Sequence, residues 1–169
     1  MAKRKIDVRP NDWGQKGPRP GQTVDPLDLR IVRMLLVDGR ASARELGESL
    51  GVSTSTVTAH LERLRKGGVL RGFTAVLDFQ KLGYELTVVT EISVSKGKLL
   101  EMEREIARLP TVCAVYDVTG EIDAIIVSKC KDREELSRFT KGLLAMPFVE
   151  RTNSHLVLAT VKEDFRVPV

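Results

Sequence analysis

The chain has 169 residues, of which 42% are apolar and 30% charged, and a formal net charge of +4. That composition suits one ordinary globular domain or two small ones and excludes a fibrous or wholly disordered chain. No apolar run approaches the roughly 18 residues of a transmembrane helix, and the basic N-terminus lacks a signal peptide's apolar stretch, so a cytoplasmic protein with no membrane partner is expected.

Residues 1–24 carry six basic side chains against Asp7 and Asp12, interspersed with Pro10, Pro18 and Pro20. Without an apolar period they predict a flexible basic arm, in which Trp13 is the one oddity. Residues 25–75 then hold eight basic and six acidic groups, and residues 76–169 thirteen and fifteen, a mildly basic front before a mildly acidic back.

Structure is predicted to begin at Asp25-Pro26-Leu27-Asp28, where Asp25 can cap a helix, Pro26 suits its first position and Asp28 complements its dipole. Leu27, Ile31, Met34 and Leu35 mark one buried stripe, and Gly39 ends the helix. Ser42 and Glu45 form a capping box for a short second helix with Leu46 and Leu50 inward, closed by Gly51. Ser53 then caps a third helix whose inward stripe is Val57, Leu61 and Leu64, ending at Gly67-Gly68. A Gly-containing turn of about three residues between the last two helices is the helix-turn-helix signature.

The run from Val69 to Asp78 alternates like a strand and predicts a hinge strand or linker over residues 72–84. Beyond it, Leu86, Val88, Ile92 and Val94 alternate with Thr87, Val89, Glu91 and Ser93 as an amphipathic strand. A helix over 99–109, a strand VCAVYDV, a tight turn TGEI, a returning strand DAIIVSK, a helix over 133–146 and a strand over 149–161 complete a βαββαβ order. Leu109-Pro110-Thr111-Val112 is echoed by Met146-Pro147-Phe148-Val149, so the two βαβ halves look equivalent. The fold class is therefore α+β: an N-terminal helix-turn-helix (winged-helix-like) domain over 25–71 and a C-terminal ferredoxin-like βαββαβ sandwich over 85–169. The sheet face holding Val89, Val115, Ile125 and Val127 is too apolar to leave wet, which predicts a homodimer. Cys113 and Cys130 are too few for a zinc site; both are expected as reduced, buried thiols, with a cross-strand disulfide as the alternative. With two Asn and three Gln in the whole chain, the composition follows the trend of thermophilic proteins.

The stretches DPLDLRIVRMLLVDGRASARELGESLGVSTSTVTAHLERLRKGGVLRGFTAVLD, VTGEID and VERTNSHLVL resemble the Lrp/AsnC (feast/famine) family of transcriptional regulators over nearly all of residues 25–169. The resemblance implies a DNA-binding domain joined to an amino-acid-sensing and oligomerisation domain, with double-stranded DNA, a small amino-acid effector and copies of itself (dimers, often octamers) as partners. It implies no cofactor, no metal and no catalytic residues.

With Val57, Leu61 and Leu64 inward, the third helix presents Ser55, Ala59, Glu62, Arg63 and Lys66 outward, flanked by Thr56, Thr58 and His60. Four consecutive hydroxyl residues, Ser53, Thr54, Ser55 and Thr56, are poor helix formers. At the N-terminal half of a recognition helix, however, short hydroxyls bring the backbone close to DNA and can bond base edges or phosphate. Ser53, Thr54, Ser55, Thr56, Ala59, His60 and Arg63 are therefore the expected reading edge, with Arg44, Lys66 and Arg71 as phosphate contacts. By the resemblance, Thr119, Gly120, Glu121, Asp123, Thr152, Ser154 and His155 line an effector pocket between dimers; carboxylates suit an α-amino group, and hydroxyls and backbone N–H groups suit an α-carboxylate.

Two other readings compete. A DNA-compacting architectural protein would share the fold with little sequence preference. Sirohaem decarboxylases are similar in architecture, but His60 and His155 fall in separate domains and no Ser/His/Asp, CxxC or P-loop arrangement is present.

Overall fold

The structure is a computed structural model describing residues 24–95, 97–167 and 169. The expected basic arm, Trp13 included, lies outside those residues except for Val24. Two compact units are present, one reaching to Val76 and including Asp164–Val169, the other spanning Leu77–Glu163. The second unit thus begins inside the stretch read as linker, and the last residues leave the domain expected over 85–169. They dock on the first helix, where Arg33 Nε donates to the Val169 carbonyl and Arg166 Nη1 donates to the Leu36 carbonyl at 3.2 Å. That helix has no basic residue in its last turn, so its unpaired terminal carbonyls accept from a distant arginine instead.

In the first unit, α1 (Pro26–Val37), α2 (Ala43–Leu50) and α3 (Thr54–Lys66) start where their caps dictate. Asp25 and Asp28 form a reciprocal capping box, Asp28 N donating to Asp25 Oδ1 at 2.8 Å and Asp25 N to Asp28 Oδ2 at 3.0 Å. Ser42 and Glu45 repeat the device on α2, and Gly51 ends that helix at φ +70°, a conformation glycine adopts without penalty. Ile31, Leu35, Leu46, Val57 and Leu64 make one core, each buried side chain contributing about 1.5–3 kcal/mol. Residues 72–84, expected as a hinge strand, form none: Val76 is 98% exposed and no described segment supplies a ladder partner.

The second unit has the order β1 (Leu86–Val94), α4 (Leu99–Ile106), β2 (Val112–Asp117), β3 (Ala124–Cys130), α5 (Arg133–Leu144), β4 (Val149–Leu156). Its antiparallel sheet runs β2-β3-β1-β4, the split-βαβ arrangement. One sheet face packs Ile92, Val94, Ala124 and Ile126 against Met102 and Ile106 of α4 and Phe139 and Leu143 of α5. The internal echo is structural too: Val112 N donates to the Leu109 carbonyl and Val149 N to the Met146 carbonyl, the same turn into each strand. Among the described residues no helix is long and apolar enough to cross a membrane.

Two details of β2 differ from expectation for one reason. The register passes from Val112↔Ser128 to Ala114↔Val127, leaving Cys113 as the extra residue of a bulge. A bulge reverses the facing of every later side chain on its strand. Val115 consequently pairs with the buried Ile126 and packs in the core rather than on the open face, where Ala114 and the half-exposed Tyr116 stand beside Val127 and Ile125. The bulge also leaves Cys113 exposed, where a buried thiol was expected; Cys130, on the regularly alternating β3, is buried, and both are free thiols. The turn after β2 is also longer than expected: residues 118–123 form a loop closed by Val118 N donating to the Asp123 carbonyl.

Among the described glycines, Gly47 has the closest neighbour. A Cβ there would lie 2.8 Å from the Val52 carbonyl oxygen, inside the turn that joins α2 to α3. Gly47→Ala should therefore destabilise the unit by about 1–3 kcal/mol through overpacking, outweighing the roughly 1 kcal/mol of helix propensity gained. Thermal unfolding of the variant, with the expected fall in Tm, checks this.

Candidate functional site

The hydroxyl run that opens α3 is organised around its cap. Ser53 Oγ accepts from Thr56 N at 3.1 Å and lies 2.8 Å from both Ser55 Oγ and Thr56 Oγ1. Thr58 Oγ1 donates back to the Thr54 carbonyl at 2.9 Å, the local bonding by which hydroxyl side chains survive inside helices. Ser53, Thr54, Ser55, Thr58 and Ala59 are exposed and Thr56 half-buried, at a helix end whose first N–H groups carry partial positive charge.

Of the expected phosphate contacts, Arg44 Nε pairs with Glu48 at 2.8 Å and Lys66 Nζ with Glu62 at 3.8 Å. These are surface pairs, worth little in water and readily exchanged for phosphate. Arg71 is exposed beyond α3.

Arg63 is exposed, as a helical wheel puts it, and His60 is half-buried at the helix flank, the alternative its position left open; both are engaged on α1. Arg63 Nη2 donates to Asp25 Oδ2 and Asp28 Oδ2, while His60 Nδ1 lies 2.9 Å from Asp28 Oδ1 with its side chain only 17% exposed. The physical reason is the capping box of α1: two carboxylates fixed by the backbone engage the nearest polar side chains of α3, Arg63 and His60. Hydrogen bonding from Arg63 holds the Asp25 carboxyl below its ordinary value. Burial alone would raise Asp28, yet Arg63, the Asp25 N–H and His60 together hold it low; Arg63 is pushed up in turn.

Sequence reasoning had Asp25 and Asp28 as a cap and missed this cluster. The signal was the D-x-x-D spacing against His60 and Arg63, three apart and so on neighbouring rows of one helix. Asp25, Asp28 and His60 bring one ligand atom each within 4.8 Å of one another, but a metal ion there would have to displace the guanidinium already bonded to both carboxylates.

Within one chain the expected effector residues lie on the 118–123 loop and on both faces of β4. Thr119, Gly120 and Glu121 are exposed on the loop, where Gly120 at φ +129° occupies backbone space that favours glycine. Asp123 is committed elsewhere: its Oδ2 accepts from Val94 N at 2.7 Å and its N donates to the Ile92 carbonyl, pinning the loop to β1. On β4, Thr152 and Ser154 stand opposite Ile92 and Thr90 on the helix side of the sheet, and Ser154 Oγ lies 2.9 Å from the buried Thr90 hydroxyl. His155 pairs with Val89 on the opposite face, 3.6 Å from Glu91, where Asn153 Nδ2 donates to Glu91 Oε2 at 3.2 Å. Strand alternation divides the three candidates. Thr152 alone neighbours the loop end, because its partner Ile92 also pairs with Ala124.

Comparison with known proteins agrees with this architecture. Residues 24–71 match the family model for winged helix-turn-helix DNA-binding domains, and residues 87–167 that of the Lrp/AsnC ligand binding domain. An uncharacterised HTH-type transcriptional regulator of Pyrococcus abyssi is 44% identical over 144 residues, covering 85% of this chain and 98% of its own. The HTH-type transcriptional regulator Ptr1 of Methanocaldococcus jannaschii is 31% identical, covering 86% and 99%. Among solved structures, a transcriptional regulator of Neisseria meningitidis in complex with L-Met superposes with a TM-score of 0.77 at 26% identity, over 86% of this chain and 97% of that one. Escherichia coli AsnC, at 21% identity and TM-score 0.77 over 85% and 97%, shares the fold. The chain belongs to the Lrp/AsnC family, DNA-binding transcriptional regulators with a ligand-binding domain.

Proposed function

We propose that this regulator binds specific DNA sequences as a homodimer or larger assembly, and that an amino acid adjusts its DNA affinity or assembly. The observation that carries the reading is the exposed hydroxyl edge at the start of α3, Ser53 to Ser55 with Ala59, in a helix-turn-helix. Such an edge can approach base edges closely and pack a thymine methyl, while the helix N-terminus faces phosphate. With Arg63 engaged on α1, base reading falls to Ser55, Thr56 and Ala59, and the phosphate role to Arg44, Lys66 and Arg71. Catalysis is no part of the proposal, and the chain acts in the cytoplasm.

Selection of duplexes from random DNA at about 0.2 M salt tests this directly, since nonspecific phosphate binding falls steeply there. The expected outcome is a dyad with half-sites near 34 Å or a multiple of it apart. Ser55→Ala should then cost about 1–3 kcal/mol and relax preference at one position of each half-site. Recovery of unrelated sequences would favour the DNA-compacting reading instead.

For the effector, the L-Met complex of the Neisseria relative supports beginning a panel of amino acids with methionine. A true effector at a hundred times its Kd should raise stability by about 2.7 kcal/mol and change DNA affinity or assembly by roughly 5- to 150-fold. Twenty amino acids without an effect on Tm or binding would remove the sensing role. Absence of a Soret band after incubation with sirohaem dismisses the decarboxylase alternative.

Self-association is supported by the open sheet face, where Val89, Ile125 and Val127 lie only partly buried beside Tyr116. Val127→Asp puts a charge in the middle of that face and should convert the assembly to monomer in sedimentation experiments. A variant sedimenting as wild type would place the interface elsewhere.

A further inference from the structure

We propose that Asp28 is a positioning residue for DNA reading, setting the roll of α3 through Arg63 and His60, and that Arg63 serves this network rather than the DNA. The proposal rests on the sequence-specific reading above and deepens it. Asp28 is 1% exposed and stands at the third position of α1. Its place is set before α3 is involved: it donates its N–H to Asp25 Oδ1 at 2.8 Å and accepts the Asp25 N–H at 3.0 Å. Onto that fixed carboxylate α3 brings Arg63, which bonds Oδ2, and His60, whose Nδ1 lies 2.9 Å from Oδ1. Arg63 also bonds Asp25 Oδ2, and both bonds leave the same nitrogen, Nη2, so one NH2 group of the guanidinium bridges the two carboxylates.

The apolar contacts of α3, through Val57 and Leu64, are non-directional and tolerate a small roll of the helix. Charge-assisted hydrogen bonds are directional and do not. Ser55, Ala59 and Arg63 follow one another at four-residue intervals, so any roll at Arg63 is carried along the rigid helix to the reading edge. For a helix about 10–12 Å across, a roll of about 20° moves an edge atom by roughly 2 Å. Hydrogen bonds to base edges, confined to about 2.7–3.2 Å, do not survive that displacement. Phosphate attraction, long in range, does.

The test uses the full chain and the duplex that the wild-type protein selects. Dissociation constants for that duplex and for a random one are measured across salt for Asp28→Asn, Arg63→Ala and the Asp28→Asn/Arg63→Ala double variant, at a temperature where each is folded by circular dichroism. The expected result is that each single variant loses about tenfold or more on the selected duplex. Random-duplex binding and the slope of log K against log salt should stay at wild-type values, and the double variant should be no worse than the weaker single. Should Asp28→Asn fail to fold, Arg63→Ala carries the decision, since it removes the Nη2 bridge and leaves Asp28 with its cap. A slope smaller by about one in Arg63→Ala, with binding lost equally on both duplexes, would make Arg63 a phosphate contact and overturn the proposal. Undiminished selectivity in folded Asp28→Asn or Arg63→Ala overturns it too, leaving the proposed function intact. A wild-type chain that selects no sequence overturns the proposed function and this role with it.

Discussion

A carboxylate shut away from water is costly unless it is paired and hydrogen-bonded, and the first unit is arranged around satisfying one. Asp28 is held by the backbone of its own cap and by two side chains of α3, so the N-terminus of α1 and the flank of α3 meet in one place. Replacing such a network with apolar packing often leaves stability unchanged or higher. What it supplies here is direction: the capping box orients Asp28, Asp28 orients Arg63 and His60, and these fix which side of α3 remains outward. The tight Gly47–Val52 approach controls the other end of the same helix, where α2 turns into α3.

The second unit depends on alternation along its strands. Val88, Thr90, Ile92 and Val94 are buried while their neighbours are only partly so, and β3 repeats the pattern. One extra residue at Cys113 then reverses the outward and inward sets for the rest of β2. The open face consequently receives Tyr116 and Ala114 in place of Val115, keeping an apolar surface with an aromatic at its margin and a polar group of Glu91, Asn153 and His155 across β1 and β4.

Most of the fold was legible because its signals are local. Caps at Asp25, Ser42 and Ser53, stops at Gly51 and Gly67, and the repeated Pro-containing turns into β2 and β4 each depend on a few adjacent residues. The helix-turn-helix followed by βαββαβ is the sum of such signals. The candidate site was legible in part. The hydroxyl edge at Ser53–Ser55 could be read because residues so unfavourable to a helix need a reason to be there. The destinations of Arg63 and His60 could not, because a helical wheel distributes side chains around one axis and knows nothing of a charge on another helix. The split of Thr152 and Ser154 from His155 was open to reading from strand period alone, yet a motif carried over as a block obscured it.

By itself, then, the sequence determined the order of the helices and strands and most of their buried stripes, because these follow from propensity, capping and period within short windows, and the family, through the resemblance of whole stretches. Only the tertiary structure decided which partners the charged and polar groups take. Arg63 lies 35 residues from Asp28 and 38 from Asp25, and Asp123 lies 29 from the Val94 N–H it accepts. It also decided the face of Val115, since a bulge exists only between two strands. Pairing energies fall off over a few ångströms in space and carry no trace of separation along the chain.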